Sequence, residues 1–284
     1  MFDGNVSPDV SVVGPGDHDD PDVAVMVSVH GDEFAGPRAV YRFLDDDDPA
    51  LQRPVKFIVA NPPAAVSDLR YLDVDLNRVV PGDPDSEDRE RRLAAQIVEE
   101  IDDCLTLSIH TTHATPEPLA FLHAGFPDAL EAAAALPLDY VVEEGQVLEG
   151  VFASRGVVSV ETGMARSDAA TSNARKIVRA FLRYADALDG EPRGADRETR
   201  YYELYETATK PSRDDDYRLL AENFRPVEAG ETYAEHGDQR LVAEEDFVPV
   251  LMSEHGYPDI FGYKGREVGR SLRAAREAWI DGEG

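Results

Sequence analysis

Hydrophobic positions along the chain alternate between short β-branched runs and longer stretches with helical spacing. Residues 23–29 hold too few polar positions for a half-exposed strand, so they predict a strand covered on both faces. After it, Phe34, Val40, Phe43 and Leu44 recur at helical spacing, with Pro37 tolerable in a first turn. That helix should stop before Asp45-Asp46-Asp47-Asp48-Pro49, because four aspartates sit badly at the negative end of a helix dipole. Residues 55–60 predict the next strand, ended by the breaker Asn61-Pro62-Pro63. Leu93, Ile97 and Ile101 mark one face of a helix capped near Asp85 or Ser86. Residues 105–109 and 156–160 read as further strands, 119–123 and 140–142 as less strongly patterned ones, and 129–136 and 169–187 as helices.

This alternation implies an α/β fold: a mostly parallel mixed sheet flanked by helices, with ligands gathering beyond the carboxyl ends of the strands. Residues 1–20 read as a lead-in, closed by Gly14-Pro15-Gly16 and a solvated Asp17-His18-Asp19-Asp20 loop. Around residues 190–194 the composition turns to that of a linker. Beyond it, residues 201–205, 217–220, 239–242 and 247–251 are short and β-like, with no long helix before about Gly269. The expected division is a main domain over 1–190 and a small all-β C-terminal domain over 195–284.

Charge narrows the range of partners. The 284 residues carry 57 acidic and 28 basic side chains, a formal net charge of −29, which argues against nucleic acid or an anionic membrane as partner. Lysine occurs only at Lys56, Lys176, Lys210 and Lys264. So acidic a surface predicts a halophilic protein, kept soluble in high salt where screening removes most self-repulsion. No tract is long and apolar enough to span a bilayer. Met1-Phe2-Asp3-Gly4-Asn5 lacks the basic and apolar regions of a secretory signal, and the single Cys104 excludes an internal disulfide framework. Both point to a reducing cytoplasm.

Three strand ends carry candidate chemistry. His30 follows the first buried run, and Glu33 lies three residues on, across Gly31. A hydrolytic zinc centre takes three nitrogen or carboxylate ligands at about 2 Å and leaves one position for water. His30 and Glu33 could converge on one ion, with His110 supplying the third ligand from another strand tip. His113 is also at a metal-compatible spacing; His110 is preferred for its place at a rigid strand terminus. The bland alternative is that His30 caps a helix whose positive end Glu33 favours. Glu161, at the end of a further strand, is the candidate general base. Arg70, Asn77 and Arg78 share the loop 70–78. Guanidinium forks match carboxylates, so they suggest a substrate with a carboxylate or a polarised carbonyl, although Asp73 and Asp75 could pair with them instead.

In order and spacing, His30-Gly31-Asp32-Glu33, Asn61-Pro62, Arg70-Tyr71, Asp75-Leu76-Asn77-Arg78, Pro81-Gly82, His110 at a strand end and Glu161-Thr162-Gly163 resemble the succinylglutamate desuccinylase/aspartoacylase family, relatives of the zinc carboxypeptidases. The resemblance covers most of residues 23–165; beyond it, Ser253-Glu254-His255-Gly256-Tyr257 is similar to the family's segment with a substrate-contacting tyrosine. It implies one zinc ion per chain held by His30, Glu33 and His110, and Glu161 activating water. It further implies Arg70 polarising the scissile carbonyl, and Asn77, Arg78 and Tyr257 contacting substrate. The expected activity is removal of an N-acyl group, succinyl or similar, from an amino acid or small carboxylated amine. A carboxypeptidase acting on peptides and a non-catalytic zinc or carboxylate binder are the rival readings. Ser108 stands where the family usually has an aspartate two residues before the last histidine, a departure that bears on how His110 is held. Arg155 or Arg166 is expected to be the family's further substrate arginine.

Overall fold

The computed structural model describes residues 6–16, 18, 21–45, 49–192, 198–213, 216–255 and 257–281. Most of the acidic lead-in cluster, the aspartates at 46–48, part of the linker and Gly256 lie outside them. The first buried run forms β2 (Val23–Val27), every residue of which is buried. Its alternate residues feed two cores. Val23, Val25 and Val27 pack with Ala39 and Phe43 of α1 (Ala35–Asp45) and with Ile177 and Phe181 of α5 (Asp168–Tyr184). Ala24 and Met26 face the opposite side, against Leu93, Ile97 and Ile101 of α3 (Arg89–Ile101). A strand sandwiched between helix layers has no polar face, which is why its sequence shows no alternation.

β2 lies between β3 (Val55–Val59) and β4 (Leu105–Thr112), parallel to both. β4 pairs in parallel with β7 (Val158–Met164). The sheet then continues through β5 (Leu119–Leu122) and β6 (Tyr140–Glu143), with α4 (Pro127–Ala134) packed beside them. Past the linker, β8 (Arg200–Thr209) adds parallel to β6, followed by the antiparallel β13 (Ile260–Gly269) and β12 (Val248–Val250). With β1 (Asp9–Val13) at one edge, the order β1-β3-β2-β4-β7-β5-β6-β8-β13-β12 makes one ten-stranded mixed sheet from both parts of the chain. A separate three-stranded antiparallel sheet holds β9 (Arg218–Leu219), β10 (Thr232–His236) and β11 (Gln239–Val242). α6 (Leu272–Trp279) folds back on the main core, where Trp279 meets Tyr201 at 6.0 Å.

Several elements differ from their sequence expectation. The lead-in holds an edge strand, β1 (Asp9–Val13), antiparallel to β3; its half-exposed alternation hid it among polar residues. Asn61-Pro62-Pro63 starts a helix, α2 (Pro62–Ser67), because both prolines fall in the first turn and Asn61 Oδ1 accepts from Ala64 N at 3.3 Å. α3 begins at Arg89, since Ser86 Oγ accepts from Asp88 N and holds a turn there. β4 and β7 run past His110 and Glu161, so these residues sit within strands and face each other in register.

Candidate functional site

After β2, Ser28 takes a left-handed φ of 56° and turns the chain so that His30 points inward, 3% exposed. Gly31 lies against α2, where an added Cβ would meet the Ala64 carbonyl carbon at 2.1 Å, and its N–H donates to Arg70 O at 3.2 Å. Only glycine fits that approach. Glu33 then returns toward the histidines: Oε1 lies 2.8 Å from His30 Nδ1, while Oε2 lies 3.3 Å from His110 Nδ1 and accepts from Thr111 N at 3.0 Å. The far ring nitrogens are held as well, His30 Nε2 at 3.1 Å from Asp75 Oδ1 and His110 Nε2 at 3.0 Å from Ser108 Oγ. Ser108 therefore supplies the anchor expected of an aspartate. The ligand atoms of His30, Glu33 and His110 lie within 4.8 Å of one another, and all three side chains are buried. Two imidazoles turned toward one carboxylate, each fixed at its other nitrogen, fit the requirements of a metal centre. His113 lies in the exposed pocket wall, apart from this cluster.

Burial opposes charge at this cluster, and the neighbours decide the outcome. His30 is raised against burial by Glu33 and Asp75, whereas burial dominates at His110 and lowers it. Despite burial, the histidines hold Glu33 well below the usual carboxylate range. Asp75 is likewise held low against burial by His30 and Arg70. Glu161 is the opposite case: burial, then the charge of Glu33, pushes its carboxyl up to about 8, and Oε2 has no hydrogen-bond partner.

The loop 70–78 brings the cationic side. Arg70 donates through Nε and Nη2 to Asp75 Oδ2 at 3.1 and 3.0 Å, and Nη1 lies 3.7 Å from Glu33 Oε1. Arg70 Nη2 and Arg78 Nη2 both donate to Tyr257 Oη, at 3.0 and 3.2 Å. Asn77 Oδ1 accepts from Phe152 N at 3.0 Å, which ties the loop to the segment before β7. Tyr257 is positioned by Lys210 Nζ, which donates to the carbonyls of Glu254 and Tyr257 at 2.7 Å each. Beneath the loop lies fully buried Glu90. Its Oε1 accepts from Asn61 Nδ2 (3.2 Å) and Leu72 N (2.7 Å), and its Oε2 from Asp73 N (3.0 Å) and Val74 N (3.3 Å). One pocket is lined by His30, Glu33, Arg70, Asn77, Arg78, His110, Glu161 and Tyr257 together.

Residues 19–185 match the family model of the succinylglutamate desuccinylase/aspartoacylase catalytic domain, well over half of the chain. The chain belongs to this family. No curated protein sequence matches it significantly. Among solved structures, the succinylglutamate desuccinylase/aspartoacylase from Rhodobacter sphaeroides is similar at 22% identity, covering 92% of this chain and 89% of that one, with a TM-score of 0.70. The product-bound Ectoine utilization protein EutE (DoeB) from Ruegeria pomeroyi matches at 20% identity over 90% and 88%, TM-score 0.70. Murine aminoacylase 3 does so at 18% over 88% and 96%, TM-score 0.70. These likenesses are of fold.

Neither arginine expected as a further substrate contact of this amidohydrolase family enters the pocket. Arg166 pairs with Asp68 at 2.7 Å on the surface, and Arg155 borders a different cavity beside Cys104 and Phe126. Glu144 and Ser159 also line the pocket and Glu90 lies beneath its loop, none of them expected from the sequence. Glu144 carried a signal: it follows β6 directly, as His30 follows the first buried run. Glu90 carried none, because its donors come from distant segments.

Proposed function

We propose that this chain is a zinc-dependent amidohydrolase that removes an N-acyl group from an amino acid or a similar small carboxylated amine. The observation that carries the reading is the convergence of His30, Glu33 and His110, with Glu161 in register beside His110 and Arg70 beside Glu33. A zinc ion held by these three side chains would supply Lewis acidity toward the amide carbonyl and an activated water. Glu161 takes the proton from the attacking water and passes it to the leaving nitrogen; its raised affinity for a proton suits both steps. Arg70, fixed by Asp75, presents its guanidinium to the developing oxyanion. Arg78, Tyr257 and the Nδ2 of Asn77 hold the substrate carboxylate.

Elemental analysis should find about one zinc per chain, and H110A should lose it; unchanged metal content would rule out this ligand set. E161Q should keep the metal and lose at least about a hundredfold in turnover on N-acyl amino acids. Turnover near wild type would remove Glu161 from the mechanism.

A further inference from the structure

The two histidines of the cluster are backed by groups of different charge. His30 Nε2 lies 3.1 Å from Asp75 Oδ1, and the other oxygen of that carboxylate accepts from Arg70 Nε and Nη2 at 3.1 and 3.0 Å. His110 Nε2 lies 3.0 Å from Ser108 Oγ, and among the described residues no carboxylate stands against that nitrogen. Ser108 is fully buried on β4, in register between Met26 of β2 and Ser159 of β7, away from bulk water. One imidazole thus leans on a charged, braced acceptor and the other on a neutral hydroxyl.

The difference bears on how each ring can hold a metal. A neutral imidazole carries one N–H. His110 turns Nδ1 toward Glu33 Oε2, at 3.3 Å, so for Nδ1 to bind a metal the hydrogen must sit on Nε2 and Ser108 Oγ must accept it. An ionised carboxylate can only accept, so in that place it would impose this tautomer and make the ring a stronger donor to the metal. A hydroxyl accepts or donates. Ser108 therefore orients the ring without imposing the tautomer and without adding charge, and part of the metal-binding free energy is spent on selecting the Nε2–H form.

We infer that Ser108 is a positioning residue that sets the strength of the metal centre. It makes His110 the weaker of the two imidazole ligands and holds zinc affinity below the level that a carboxylate at residue 108 would give. The inference rests on the zinc reading above, and the test separates the two.

Zinc affinity would be measured by competition with a chromophoric chelator, on metal-free wild type, H110A, S108A, S108T, S108N and S108D, with circular dichroism of each metal-free protein to check folding. S108A should bind zinc about tenfold or more weakly, while S108T, which keeps the hydroxyl, should stay close to wild type. S108D should bind about tenfold or more tightly, and S108N, of the same size without the charge, should not. Nitrogen NMR of the zinc-loaded wild type should find the His110 hydrogen on Nε2. Zinc affinity lost in H110A but unchanged in S108A would overturn the inference and leave the ligand set standing. A folded S108D that binds no more tightly than S108N, or a His110 hydrogen on Nδ1 in the loaded protein, would also overturn it. If S108D does not fold, the contrast between S108A and S108T decides. A wild type that takes up no zinc would overturn the zinc reading, and the inference falls with it.

Discussion

Replacing Glu90 with glutamine changes one atom and should cost the fold heavily. Each carboxylate oxygen accepts two donors, three of the four being backbone N–H groups of the loop that carries Arg70, Asp75 and Arg78. Whichever way the new amide turns, its NH2 faces two donors, so two hydrogen bonds to a charged acceptor are lost. At ~1.5 kcal/mol each, the low end of the usual range, E90Q should destabilise the protein by about 3 kcal/mol. For a chain of this size that corresponds to a fall in Tm of roughly 6–12 °C. Thermal and urea unfolding followed by circular dichroism would measure it. Loosening the loop should also lower kcat/KM by about tenfold or more, because misplaced binding groups cost rate steeply. A loss below about 1 kcal/mol would show that Glu90 does not hold the loop, and the reasoning would fail.

Two further outcomes follow from charge. Glu144 sits at about 8 in the folded chain against 4.5 for an ordinary glutamate, so the folded state keeps a proton that the unfolded chain releases. Its contribution to stability is full below about pH 4.5 and is lost as pH rises to about 8. E144Q cannot ionise, so its stability relative to wild type should grow from pH 5 to pH 8; a constant difference between urea midpoints would contradict this. The net charge of −29 predicts that the folded circular dichroism signal fades when salt is dialysed away, and undiminished stability in dilute buffer would refute a halophilic character.

The meeting of His30, Glu33 and His110 was legible because they stand where apolar runs give way to polar residues, a local signal that needs no knowledge of the partners. Arg70, Asn77 and Arg78 were legible for a related reason, as cations concentrated in one short loop of an acidic chain. Glu90 was opaque because a charged residue at a helix start looks solvated until the loop is seen folded over it. The strand ends were read short, since Glu161 and His110 are polar residues inside β7 and β4 that the sheet tolerates by facing them into the pocket. Arg155 and Arg166 show the limit of spacing: both lie near Glu161 in sequence, and chain direction carries both away from it.

The parallel pairing of β6 with β8 has a consequence for synthesis. Tyr140–Glu143 acquires its second neighbour only when Arg200–Thr209 has emerged, on the far side of the linker. Until then the nascent N-terminal portion carries an open strand edge, with Val141 and Val142 ready to pair with another chain. Stopping translation or cutting the protein before residue 200 would therefore leave a sticky margin, and the C-terminal strands act as its permanent cover.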